Sequence, residues 1–187
     1  RRSMHHTSST QTVLKIDMWR SLSEAPWAER DAMKRHRPRP IAVIGNEGCK
    51  RVEAFQQALR SLGSPPAIQF TYCDILQSDA DLSEALPPDA LLRIESPGRD
   101  FEAERHILAA GADLDDPETP NAERIGRRDA LALEFDKGRL RYLRQKFLGF
   151  RSVLRHVQEA LFRRPDVATL NPVNDILVMC DKAACHG

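Results

Sequence analysis

Arg93 and Glu95 stand two residues apart at the end of an apolar run, Leu91-Leu92-Arg93-Ile94-Glu95, just before Ser96-Pro97-Gly98 breaks the chain. Residues two apart share one face of a strand. An arginine offers a planar fork of N–H donors that matches a carboxylate or a phosphate. Glu95 could hold an amine or orient that arginine, and Ser96 with the N–H groups after it could receive an anion. A structural salt bridge accounts for the same pair equally well, and the residues alone leave both readings open.

Two further groups could join them. Gly45-Asn46-Glu47-Gly48 follows the apolar run Ile41-Ala42-Val43-Ile44 and precedes a helical pattern. In that context backbone N–H groups and a helix dipole can cradle a phosphate. The third glycine of a dinucleotide fingerprint is missing, so a plain strand-to-helix turn is favoured. Arg144-Gln145 opens the most periodic helix of the chain, where such side chains can reach a central cleft. Residues 137–164 carry nine lysines and arginines against the single acid Glu159. A basic helix of this kind can follow phosphates, but a solvated surface whose partner acids lie in the Asp113–Glu118 loop is favoured. His106 and His156 have no visible partner. Cys180, Cys185 and His186 lie close together without the spacing of a zinc site, so no metal is expected.

The elements that must position these residues follow from hydrophobic period and turn chemistry. Ile41–Gly45 is a continuous apolar run, as in a strand buried on both faces. Val52, Phe55, Leu59 and Leu62 recur at helical spacing, with Gly63 as the cap. Strands are expected at 67–72 and 90–95, with one or two short helices over 74–86 between them. A helix carrying Phe101, Ile107 and Leu108 closes at Gly111, and a short helix spans 128–135. In the long helix, Leu143, Phe147, Phe150, Leu154, Val157 and Leu161 advance by four and three until Pro165 stops it. Val167–Leu170 reads as a short strand, and Pro172 sits in the first turn of a final helix. This order predicts an α/β fold, three-layered and Rossmann-like, with a mostly parallel sheet whose central strand is 41–45. In such sheets, chemistry gathers at the carboxyl ends of the strands. The loops after 41–45 and 90–95 should therefore be neighbours.

The composition narrows the function classes. The 187 residues suffice for one domain with a sizeable core, and a net charge of +1 points to no nucleic-acid or membrane partner. No run reaches the roughly 18 apolar residues of a membrane span, and the polar start RRSMHHTSST lacks the apolar stretch of a secretory signal. With four cysteines and no CxxC pair, the expected setting is a reducing cytoplasm with free thiols. Residues 1–38, poor in apolar side chains and running into the linker Arg35-His36-Arg37-Pro38-Arg39-Pro40, are expected to form a poorly ordered extension that folding does not require.

The words at the C-terminal end carry a resemblance. Asn171-Pro172-Val173-Asn174-Asp175-Ile176-Leu177-Val178-Met179-Cys180-Asp181-Lys182 resembles the junction at which a small α/β pre-ATP-grasp domain enters the ATP-grasp fold. Upstream, Gly45-Asn46, Arg51-Val52, Phe55, Ala58-Leu59, Arg93 to Gly98, Arg144-Gln145 and Leu148-Gly149-Phe150 look like the words of a bacterial ATP-grasp group. The resemblance covers about 40–187. It implies a pre-ATP-grasp domain over 39–180, the start of the ATP-grasp domain at 181–187, and Lys182 as a contact to nucleotide phosphates. It also implies ATP and Mg²⁺ as cofactors of the parent protein, a ligase that activates a carboxylate for attack by an amine or similar nucleophile. The small-molecule carboxylate or amine would be held by Asn46, Arg93, Glu95, Ser96, Arg144 and Gln145, opposite nucleotide-binding lobes expected beyond Gly187. The chain is accordingly expected to be a fragment, inactive alone, and a homodimer is left open. The alternatives are a free-standing α/β module for a nucleotide or metabolite, and a nucleic-acid-binding protein using the basic helix.

Overall fold

A computed structural model of the chain describes residues 38–77, 81–136 and 141–180. The chain divides into two units, Arg1–Pro38 and Arg39–Gly187, and the architecture below is that of the second. The expectations for residues 1–38, Pro38 apart, for Lys137 and Arg139, and for 181–187 with Lys182, Cys185 and His186 lie outside the described residues.

Four strands form one sheet in the order β2-β1-β3-β4, with every neighbouring pair parallel. They are β1 (Ile41–Ile44), β2 (Ile68–Phe70), β3 (Leu91–Ile94) and β4 (Ala168–Thr169). As its uniform apolarity predicts, β1 lies inside the sheet between β2 and β3. Its alternation divides the core in two. Ala42 and Ile44 enter the larger cluster, with Leu92 and Ile94 of β3. Val43 faces the other way, onto Val52 and Leu59. Those two belong to α1 (Lys50–Ser61), the helix over that face. It ends at Gly63, which takes the left-handed φ of 66° while the Ser64 N–H closes back onto the Leu59 carbonyl.

The opposite face carries the remaining helices: α2 (Tyr72–Gln77), α3 (Leu82–Ala85), α4 (Phe101–Gly111), α5 (Arg127–Leu131), α6 (Leu143–Phe162) and α7 (Val173–Cys180). Asp81 and Asp100 accept hydrogen bonds from the Ser83 and Ala103 N–H groups and so cap α3 and α4. The long helix α6 buries Leu148, Phe150, Val153, Leu154, Val157 and Ala160. Phe150, Leu154 and Val157 face the core as expected and Leu161 packs against it, but the first two members of the expected stripe do not. Leu143 is exposed, and Phe147 is covered by arginines instead of by the core.

Gly111 is no cap. It lies within α4, and its partner is Gly149 of α6. A Cβ built on Gly111 would sit 2.2 Å from the Gln145 carbonyl oxygen, and one on Gly149 would sit 1.9 Å from that of Ile107. Rising numbers in α4 meet falling numbers in α6, so the helices run antiparallel and cross at a point where only glycine fits. Beyond β4, the Asn171 side chain replaces a strand. Its Oδ1 accepts from the Ile94 N–H at 2.9 Å and its Nδ2 donates to the Ile94 carbonyl at 2.5 Å. Among the described residues, no helix is long and apolar enough to cross a membrane.

Candidate functional site

The loops after β1, β2 and β3 meet at the carboxyl edge of the sheet, and Asn46 ties them. Its Oδ1 accepts from the Tyr72 N–H at 3.0 Å, and its Nδ2 donates to the Pro97 carbonyl at 2.9 Å. The side chain is buried and its amide is committed to the backbone. The Tyr72 hydroxyl donates to the Glu95 carbonyl at 2.5 Å. Burial above all, then the nearby Cys180 and Glu95, pushes this phenol far above its ordinary range, so it remains a donor.

Glu95 is buried at this junction, and two guanidinium groups share its carboxylate. Arg93 Nε donates to Oε1 at 2.7 Å, and Arg51 Nε approaches Oε2 at 2.8 Å. Arg51 also donates through Nη2 to the Ser96 hydroxyl. Arg93 is packed down, its guanidinium 4.7 Å above the Phe55 ring, whereas the Arg51 side chain is 57% exposed. Two cations over one carboxylate leave one positive charge at the mouth of the sheet. Arg93, Glu95 and Ser96 are thus brought together as their spacing suggests, with Asn46 beneath them. Arg51 completes the group. The sequence hint for it was its position in the first turn of the helix that starts beside the end of β3.

The Gly45–Gly48 turn is a packing turn. A Cβ on Gly45 would meet Val52 Cγ2 at 2.7 Å and Glu95 Cβ at 3.2 Å, so glycine lets β1, α1 and Glu95 close together. The cavity beside it, about 230 Å³, is lined by Asn46, Glu47, Gly48, Cys49, Val52, Glu53, Gln56, Arg60 and Gln69. Glu47 and Glu53 outnumber Arg60, and Glu53 already occupies the first turn of α1 where an anion would sit. These residues do not fit a nucleotide triphosphate. Among the described residues, no group of three or more His, Cys, Asp or Glu is placed to hold a metal ion.

Arg144 and Gln145 are not part of this mouth. Arg144 forks onto Asp116, Nε to Oδ2 and Nη2 to Oδ1, both at 2.7 Å, and its Nη2 also reaches Glu118 at 2.7 Å. Gln145 is buried and braces α6 against α4 and the loop before α5. Its Nε2 donates to the Leu108 and Ile125 carbonyls at 2.8 and 2.9 Å, and its Oε1 accepts from the Ile125 N–H at 2.8 Å. The shared cleft expected from the sequence is therefore not formed. The physical reason is that α6 begins against the end of α4, where Arg144 meets the Asp116 and Glu118 carboxylates and Gln145 meets backbone groups.

The Asp116 carboxyl is held well below its ordinary value, first by the Arg144 hydrogen bonds and then by the Thr119 hydroxyl. The unfolded chain thus binds a proton at Asp116 before the folded one does. The resulting stability is present above about pH 4 and is lost as the pH falls toward the depressed folded value. Acid unfolding monitored by circular dichroism should show this. Arg144→Ala should lower stability at neutral pH and narrow its gap to the wild type as the pH falls below 4, whereas a gap independent of pH would deny the coupling.

The remaining polar groups are less promising as chemistry. The Cys73 thiol is pushed up by burial, then by Asp100 and Glu102, which disfavours a reactive thiolate. His106 has partners after all, Gln77 at 2.8 Å and Glu102 at 3.2 Å. Much of the basic stripe of α6 is neutralised locally: Lys146 by Glu104, Arg163 by Asp81, and Arg144 by the 113–118 loop that the sequence suggested. Comparison with protein-family models, curated proteins and solved structures gives no match for this chain.

Proposed function

We propose that residues 39–180 form the substrate-side domain of an ATP-grasp-type ligase, holding the anionic end of a small carboxylate or amine-bearing molecule at the carboxyl edge of the sheet. The observation that supports this most is the Arg51–Glu95–Arg93 group. Glu95 fixes both guanidinium planes, and Arg51 keeps donors turned to solvent beside Ser96. A fork held in place loses less freedom when it takes up a ligand carboxylate. In this reading the protein works in the cytoplasm. ATP and Mg²⁺ would belong to the parent ligase, where they would supply phosphoryl activation of a carboxylate. The described residues do not fit them, so the part assigned to this domain is to bind and orient the acceptor.

A titration tests the assignment. A panel of amino acids and short dicarboxylates should contain ligands that raise the melting temperature, and Arg51→Ala should weaken their binding about tenfold, the loss of one charge-assisted contact. Its own stability should fall by about 1–2 kcal/mol, because one charge-assisted contact to the buried Glu95 is lost while Arg93 still holds that carboxylate. Mg-ATP should bind this chain no tighter than about 1 mM. Micromolar Mg-ATP binding would replace this reading with a free-standing nucleotide-binding module, and an Arg51→Ala variant that binds the carboxylates normally would remove the arginine from the site.

A further inference from the structure

The outer side of α6 holds an arginine that the protein itself leaves unanswered. Arg144, Lys146, Arg163 and Arg164 each meet a carboxylate. Among the described residues, Arg151 meets none. Its Nε is sealed from solvent and has no hydrogen-bond partner. A buried donor left without a partner is costly, more so on a charged group, and its persistence calls for an explanation. The guanidinium lies 5.5 Å from the centre of the Phe147 ring, and that of Arg144 lies 5.2 Å from the same ring. Phe147 is thus a shelf between two cations.

Arg151 acts on Asp116 through its charge alone, without a hydrogen bond. Asp116 has both oxygens engaged by Arg144 and accepts from Thr119 as well. Arg155 follows one turn later and is exposed. Residues four apart neighbour one another on a helix surface, so Phe147, Arg151 and Arg155 form one line along α6. Arg151 is half-buried and Arg155 exposed; their outer guanidinium nitrogens, rather than the sealed Nε, suit an oxyanion that offers several oxygens at once.

We propose that Arg151 and Arg155, with Phe147 as the shelf, form a binding site for the phosphoryl group of a small molecule. The site lies on the helix flank of the fold, apart from Arg51 and Glu95, and does not depend on the ligase reading. The probe is inorganic phosphate, with sodium chloride at matched ionic strength as the control. Phosphate should raise the melting temperature of the 187-residue protein above the chloride control. Calorimetry should show phosphate binding weakened about tenfold or more in Arg151→Gln. Arg155→Gln should weaken it by a smaller factor, and Arg163→Gln, whose arginine is paired with Asp81, should leave it unchanged. If Arg151→Gln fails to fold, the Nε–H resonance of Arg151 in the wild type decides: it must move with phosphate and stay still with chloride. An equal phosphate response in wild type and Arg151→Gln, or a response that chloride reproduces, overturns the proposal.

Discussion

Gly149→Ala should destabilise the protein by about 3 kcal/mol or more, although alanine is the better helix former. Helix propensity alone predicts a gain of roughly 1 kcal/mol for this change in the interior of α6. Against it stands backbone. The new methyl carbon would lie 1.9 Å from the Ile107 carbonyl oxygen and 2.9 Å from its carbon, and neither atom can move without shifting α4. Overpacking a well-filled core commonly costs about 1–3 kcal/mol, and more where backbone must give way. Gly111→Ala should behave alike, since its Cβ would press on the Gln145 carbonyl at 2.2 Å. The two glycines share one crossing, so the double variant should lose less than the sum of the two, because helices already parted by one methyl accommodate the second. Urea midpoints of the four proteins measure this, and a variant as stable as the wild type would mean that α4 and α6 do not cross so closely.

This crossing marks the limit of what the sequence could tell. Strand β1 was legible because a run buried on both faces needs no partner to be recognised: Ile41 to Ile44 is apolar throughout. The parallel order followed from strand–helix alternation, and the convergence of Asn46 with Arg93, Glu95 and Ser96 followed from the parallel order. Gly111 was open to misreading because a glycine after an apolar helix more often ends it. Only the position of α6 shows that this one admits a neighbour. The long helix is legible from its period, and Phe150, Leu154 and Val157 face the core as that period predicts; only its start departs, at Leu143 and Phe147. The sequence does not reveal that Phe147 serves Arg144 and Arg151. Arg51 enters the sequence reading only as part of the resemblance and not as a site residue, because the carboxylate it meets lies 44 positions away, on another strand end.

Gln145 gives the sharpest test of which side chains are structural. Its amide makes three hydrogen bonds to the backbone of Leu108 and Ile125 and is sealed from solvent. Gln145→Ala should cost about 3 kcal/mol or more, because it strands three buried backbone groups and leaves a void. Gln145→Glu should be still more telling. The shape is kept, but an ionised carboxylate would turn an oxygen toward the two carbonyls that Nε2 now serves. The buried glutamic acid would hold its proton to a pH well above the ordinary value of about 4.3. The folded variant then binds a proton that the unfolded chain has released, so its stability falls as the pH rises from the unfolded value through the raised folded one. At pH 4 the neutral acid still donates one hydrogen bond in place of two, and the deficit against wild type should be about 1 kcal/mol. At pH 7 it should widen to about 3 kcal/mol, set by the cost of ionising or retaining the proton in a site without water. Comparing urea midpoints of variant and wild type at the two pH values cancels the titration of Asp116 and the other native acids. A deficit that does not change with pH would mean that residue 145 meets water, and the ligand-facing role suggested by its place at the start of α6 would return.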